Sequence, residues 1–177
     1  VVQTITVTDN TFPLASAPTT IDIECGNAAP VGATTYAGFT GLGGTASDNC
    51  TANASLVIAY TDGLLVGTDC SGTIARSYTI TDACGNTTTV VQTITVTDNT
   101  FPLASAPATI DIECGNAAPV GATTYAGFTG LGGTASDNCT ANASLVIAYT
   151  DGLLVGTDCS GTIARSYTIT DACGNTT

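Results

Sequence analysis

The sequence predicts an all-β protein, built as tandem immunoglobulin-like β-sandwich domains in an extended array. Three observations point there. Thr, Val and Ile alternate through much of the chain, and helical periodicity is nearly absent. Short strand-like runs are separated by Gly, Asn and Asp turn signals about every 8–12 residues. Residues 1–88 recur as 90–177, an offset of 89 with one mismatch, Thr19 against Ala108.

In chain order, residues 1–10 read as the final strand of a preceding repeat, or as a strand donated to another chain. Residues 20–25 put Ile21, Ile23 and Cys25 on one face. Residues 36–40 and 46–50 are weaker strand candidates. Residues 55–61 form an apolar run that suits a strand buried on both faces. Residues 73–81 align Ile74, Tyr78 and Ile80, and residues 87–97 align Val90, Ile94 and Val96. Turns are expected at Thr61-Asp62-Gly63, at Asp82-Ala83-Cys84-Gly85-Asn86 and along residues 41–44. Residues 11–99 therefore make one complete repeat. Residues 100–177 make a second that lacks its final strand and so offers an unpaired edge. Either a longer polypeptide continues, or residues 1–10 of another chain fill the gap. An export signal is expected outside this stretch.

Composition excludes several functions. The 177 residues carry 14 acids, two arginines, no lysine and no histidine, for a net charge of −12. Ser-His-Asp and Cys-His catalysis, His-containing zinc sites, Schiff bases and phosphate-loop lysines are all ruled out. Two arginines among 14 acids give no footprint for nucleic acid or for an anionic membrane. No apolar run approaches the ~20 residues that span a bilayer. At 44% apolar and 9% charged the chain is too apolar for a disordered acidic tail. Eight cysteines without histidine read as disulfides, which implies an oxidising, extracytoplasmic compartment.

Strand reach orders the cysteine pairings. Cys70 and Cys84 bracket the strand at 73–81, and about ten extended residues span ~33 Å. Disulfide Cα atoms lie at most ~7 Å apart. Alternating strand directions put Cys25 and Cys70 at one pole, with Cys50 and Cys84 at the other. The expected bridges are Cys25–Cys70, Cys50–Cys84, Cys114–Cys159 and Cys139–Cys173, with Cys25–Cys50 plus Cys70–Cys84 as the alternative.

The pole of Cys50 and Cys84 also collects carboxylates. Asp9, Asp48 and Asp82 can converge there, as can Asp98, Asp137 and Asp171. Hard oxygen ligands suit Ca²⁺, the one cofactor these residues fit. The competing reading is that Asp simply ends strands and forms turns. Asp62 and Asp69 read as turn residues. Paired carboxylates could serve glycoside hydrolysis, but no insertion forms a cleft, and the expectation is a protein that is not an enzyme. Arg76 and Arg165, the lone cations of their repeats, are expected in structural ion pairs, with Glu24 or Asp22 as partners for Arg76. Tyr36, Phe39, Tyr60 and Tyr78 are expected in the core. Asn49, Asn53 and Asn86 stand in glycosylation sequons.

Four quoted runs share a known signature: Ser47-Asp-Asn-Cys50, Arg76-Ser-Tyr-Thr-Ile-Thr-Asp-Ala-Cys-Gly-Asn86, Val91-Gln-Thr-Ile-Thr-Val-Thr-Asp98 and Phe101-Pro102. Together they resemble the HYR-like, immunoglobulin-like repeats of giant secreted proteins of Bacteroidetes, including cell-surface adhesins of the gliding-motility (SprB) type. The resemblance covers essentially the whole unit. It implies an extracellular stalk on a bacterial surface and no catalytic residues. The expected role is thus a structural repeat of a fibre or adhesin stalk, whose partners are neighbouring identical repeats. The alternatives are a filament subunit polymerised through residues 1–10, and a module that binds surface glycans or another polymer.

Overall fold

The computed structural model describes residues 1–68, 70–157 and 160–177. The chain is mostly β and divides into two compact units. One comprises Val1–Ile23 and Asn27–Thr97, the other Glu24–Gly26 and Asp98–Thr177.

In the first unit the elements are β1 (Leu14–Ser16), β2 (Ile21–Glu24), α1 (Tyr36–Gly41), β3 (Thr45–Ser47), a 3-10 turn at Asn53–Ser55, β4 (Val57–Thr68), β5 (Ser71–Thr81) and β6 (Thr87–Thr97). Strands β1 and β3 form an antiparallel ribbon, and the other strands form a sheet in the order β2-β6-β5-β4. Alternation decides what each strand buries. Tyr78 and Ile80 of β5 and Gln92, Ile94 and Val96 of β6 face inward, while the intervening threonines face out. Ile58, Tyr78 and Ile80 of the sheet meet Ala46 of the ribbon and Phe39 of α1, with Ala15, Ala33, Tyr36, Tyr60 and Val90 packed around them. Phe39 stands edge-on to Tyr78, ring centroids 5.0 Å apart, the geometry aromatic quadrupoles favour. The Tyr78 hydroxyl accepts a hydrogen bond from the Ala33 amide at 3.1 Å.

Three expectations about elements are corrected. Residues 36–40 do not extend. Thr35 caps a helix there, its Oγ1 accepting from the Gly38 amide at 3.1 Å. Residues 61–63 are not a turn but the middle of β4, where the register against β5 shifts between Asp62 and Leu65. A glycine in such a bulge looks like a turn signal in sequence. The reversal falls later, between β4 and β5. There Gly67 adopts φ +113°, and a Cβ on it would meet the Ser71 carbonyl oxygen at 2.6 Å. Finally, β4 buries one face only. It is an edge strand, with Ile58 inside and Val57 exposed.

The second unit repeats this with β7 (Leu103–Ser105), α2 (Tyr125–Gly130), β8 (Thr134–Ser136), a 3-10 turn at Asn142–Ser144, β9 (Val146–Thr157) and β10 (Ser160–Thr170). Ribbon β7-β8 and hairpin β9-β10 keep the registers of their counterparts, including Asp151 opposite Arg165 where the first unit has Asp62 opposite Arg76. The core again gathers a helical Phe, Phe128, with Ala135, Leu145, Ile147 and Ile169. Residues 110–113 form no strand, although their sequence is that of β2.

Candidate metal centre

Two loops and the lead-in segment build the centre. Asp48 follows β3 and closes an Asx turn, its Oδ2 accepting from the amides of Cys50 at 2.9 Å and Thr51 at 2.8 Å. Asp82 follows β5. Its Oδ1 accepts from the amides of Cys84 and Asn86, both at 2.8 Å, and its Oδ2 from Asn86 Nδ2 at 2.7 Å. Gly85, at φ +91°, supplies the left-handed step that lets this loop close. Thr51 Oγ1 accepts from the Ala83 amide at 3.1 Å and so ties the two loops together. Asn86 Nδ2 also reaches the Asp9 carbonyl at 3.3 Å, and Asp9 Oδ1 accepts from the Thr11 amide at 3.0 Å.

One ligand oxygen from each of Asp9, Asp48 and Asp82 lies within 4.8 Å of the others. The sequence-predicted trio is thus brought together. Two of its oxygens, Asp9 Oδ2 and Asp48 Oδ1, are buried with no hydrogen-bond partner. Burial works against ionised Asp82, but the hydrogen bonds from Asn86 and from the Cys84 and Gly85 amides outweigh it. They hold its carboxyl below the ordinary range.

The second unit repeats the arrangement in part. Asp98 and Asp171 come together with Cys173 Sγ within 4.8 Å. Asp171 is held low as Asp82 is, by Asn175 and by the Cys173 and Gly174 amides against the cost of burial. Asp137 closes the same Asx turn on the amides of Cys139 and Thr140. Asp98 is 6% exposed. Its Oδ2 and Asp137 Oδ1 are buried without partners. Burial chiefly, then the Glu24 carboxyl and the charges of Asp137 and Asp171, push Asp98 above the ordinary carboxylate range. Glu24 itself is held low by the Asn99 amide at 2.7 Å and by Thr100.

The cysteine pairings need correction. Cys25 is bonded to Cys139, with Cα atoms 5.9 Å apart, so neither Cys25–Cys70 nor Cys139–Cys173 forms. The reason is local. The tripeptide Glu24–Gly26 packs as part of the second unit, where Asn138 Nδ2 donates to the Cys25 carbonyl at 3.1 Å. Cys70 and Cys173 are also disulfide-bonded. Cys50 and Cys84 do share a pole, through Thr51 and Ala83, but both are free and exposed, so the Cys50–Cys84 bridge is not formed. Each is held by its own Asx turn, and Cys50 Sγ accepts from Asn49 Nδ2 at 3.2 Å. Desolvation first, then the surrounding aspartates, raise both thiols. Cys114 is free, so it makes no bridge to Cys159, which lies outside the described residues, as do Asp69 and Asp158.

Arg76 is buried in an ion pair, but with Asp62 rather than Glu24 or Asp22. Its Nε donates to Asp62 Oδ1 at 2.6 Å and its Nη2 to Oδ2 at 2.8 Å, a bidentate fork. Nη2 also donates to the Pro30 carbonyl, and the guanidinium lies 4.8 Å from the Tyr60 ring centroid. Arg165 repeats this with Asp151, the Pro119 carbonyl and Tyr149. The guanidinium beside each of Asp62 and Asp151 holds that carboxyl low. Sequence reasoning missed Asp62 as a partner. The signal was there: Ile58, Tyr60 and Asp62 alternate on one face of β4, opposite the face of β5 that carries Arg76.

The centre offers three carboxylates and no thiolate or imidazole, a donor set for hard cations. Compared with known proteins, the chain matches no family model and no curated relative.

Proposed function

We propose that this chain is a stretch of a tandem-repeat stalk. In this reading each 89-residue unit is an immunoglobulin-like sandwich, and copies add length between a bacterial surface and an adhesive element. The role is mechanical rather than catalytic, and the setting is extracellular. The observation that carries it is that one repeat sequence builds the same ribbon, helix and long hairpin twice, in the same registers. Disulfides favour an oxidising compartment. No helix among the described residues is long and apolar enough to cross a membrane. The resemblance to HYR-like repeats of Bacteroidetes gliding-motility adhesins supports the same reading.

The test is the covalent size of the native polypeptide on denaturing gels with and without reductant. A species far above the 17.5 kDa of these residues under both conditions is the expected result. A band at that mass overturns it, and a large species that collapses on reduction would mean that disulfides link separate chains.

One observation favours a second reading, a filament assembled by strand donation. Val1, Val2, Ile5 and Val7 are exposed, yet residues 1–8 have the sequence that forms the ladder of β6 at 90–97. The small band, together with mass that falls on dilution, is the outcome that selects it.

A further inference from the structure

We infer that each repeat is a calcium site, formed by Asp9, Asp48 and Asp82 in the first copy and by Asp98, Asp137 and Asp171 in the second. The inference goes beyond the stalk reading and does not depend on it.

Four buried oxygens carry the argument: Asp9 Oδ2, Asp48 Oδ1, Asp98 Oδ2 and Asp137 Oδ1 have neither solvent nor a hydrogen-bond partner. A carboxylate oxygen buried in that state is strongly disfavoured unless a cation compensates it. The same two positions of the trio are orphaned in both copies. Asp98 is the clearest case, since nine-tenths of its side chain is buried against two other aspartates.

The chain cannot supply the compensation. It has no lysine or histidine and only two arginines. Both are already forked onto Asp62 and Asp151. Unless the carboxyls take up protons, the counter-charge comes from a cation in solution.

Geometry and donor type then choose the ion. Calcium holds oxygens at about 2.3–2.6 Å, so oxygens on opposite sides of it are up to about 5 Å apart. The Asp9, Asp48 and Asp82 oxygens, all within 4.8 Å of one another, lie inside that reach. Magnesium demands a strict octahedron at about 2.0–2.1 Å, gives up its waters reluctantly and is usually held by only one or two carboxylates, so a trio of carboxylates favours calcium. Zinc and copper prefer thiolate or imidazole. Here the converging donors of the first copy are all carboxylate oxygens, and Cys173 beside the second is in a disulfide. Water completes the shell. Loading ties the lead-in residue Asp9 to the loops after β3 and β5.

The test uses the full chain, stripped with chelator, dialysed and titrated with calcium chloride in a calorimeter, with thermal melting followed by circular dichroism. Two ions per chain and a rise in Tm are expected, with a much smaller response to magnesium chloride. Asp48→Asn should lose one ion, and Asp48→Asn with Asp137→Asn both. Asparagine keeps the Asx turn, because its remaining oxygen still accepts from Cys50 and Thr51. In chelator the single variant should melt above the parent, since it removes an uncompensated charge. Asp9→Asn, outside both loops, guards against a folding defect and should behave alike. No heat and no Tm shift up to several millimolar calcium, the range of extracellular modules, overturns the inference. So does a calcium response that survives in the double variant.

Discussion

Residues 1–88 and 90–177 differ at one position, yet their sheets differ, because β6 (Thr87–Thr97) runs on past residue 88 to complete the first. In the first, β6 lies between β2 and β5 in a four-stranded sheet; in the second, β9 and β10 stand as a two-stranded hairpin. The consequences run along one edge. Tyr78 is fully buried and Tyr167 half-buried. The Arg76 side chain is 1% exposed and that of Arg165 15%. Ile21 and Ile23 are half-buried in β2, whereas Ile110 and Ile112 are exposed and form no strand. In the second unit a cavity opens against Phe128, Arg165 and Tyr167; in the first, Val90 of β6 packs at Tyr78. Identical local propensities thus give β2 in one setting and coil in the other. A strand of four residues is made by its neighbour, not by its own preference.

The largest effect should come from giving β10 the neighbour that β5 has in β6. Thr176 already bridges Thr170, as Thr87 faces Thr81, and Thr177 Oγ1 donates to the Pro102 carbonyl. Extending the chain after Thr177 with the sequence of residues 89–99 should carry that register onward. Hydrogen exchange read by mass spectrometry should then show the amides of β10 slowed to the level of β5, and residues 110–113 protected. Unchanged exchange in β10 would show that β6 is not what separates the repeats.

Next in size is the arginine pair. Arg76→Ala strips the partner from Asp62 at a site sealed by β6, and should cost about 3 kcal/mol in urea unfolding. Arg165→Ala, at the open edge, should cost clearly less. Equal losses would mean that burial by β6 adds nothing to the fork. Both forks also set an acid dependence. Asp62 and Asp151 are lowered in the folded state, so their contribution is complete above the unfolded carboxyl value and is lost as the pH falls through the folded one. Asp98 is raised and has the opposite sign. In chelator, its protonation on falling through its folded value should relieve strain before the forks fail. Stability of the cation-free chain should therefore rise slightly on mild acidification and drop only below the ordinary carboxylate range.

The smallest effect belongs to the one natural difference. Thr19 Oγ1 donates to the Leu42 carbonyl at 3.2 Å, but the backbone bond from the same residue to that carbonyl persists at Ala108, which donates to Leu131. Thr19→Ala should change Tm within the scatter expected of an exposed site, under about 0.5 kcal/mol. A larger shift would make this position, rather than β6, a source of the difference between repeats.

How much could be read in advance follows the same division between local and long-range causes. The bounds of β6 and the inward faces of β5 and β6 were legible because alternation there is strict. The aspartate trio was legible because all three residues sit at strand ends that topology gathers at one pole. The helix at Tyr36–Gly41 was missed because two glycines and two aromatics mask it, and only the Thr35 cap announces it. The bulge at Asp62-Gly63 was misread because a glycine can bend a strand without ending it. The Cys25–Cys139 bond was out of reach. It joins residues 114 apart, and no spacing rule within one repeat can foresee a partner in the other.

The two arginine forks also shape how such chains meet each other. Pairing both guanidinium groups with their own carboxylates neutralises the only positive side chains, so a molecule of net charge −12 presents a predominantly negative surface. Salt-bridged contacts between two such surfaces have no cationic side to offer. At low ionic strength, with a Debye length of about 30 Å in 0.01 M salt, neighbours hold one another apart. At about 8 Å in physiological salt they can approach within touching range. Spacing between parallel copies then becomes a property of the medium, set by its salinity rather than by any complementary patch on the protein.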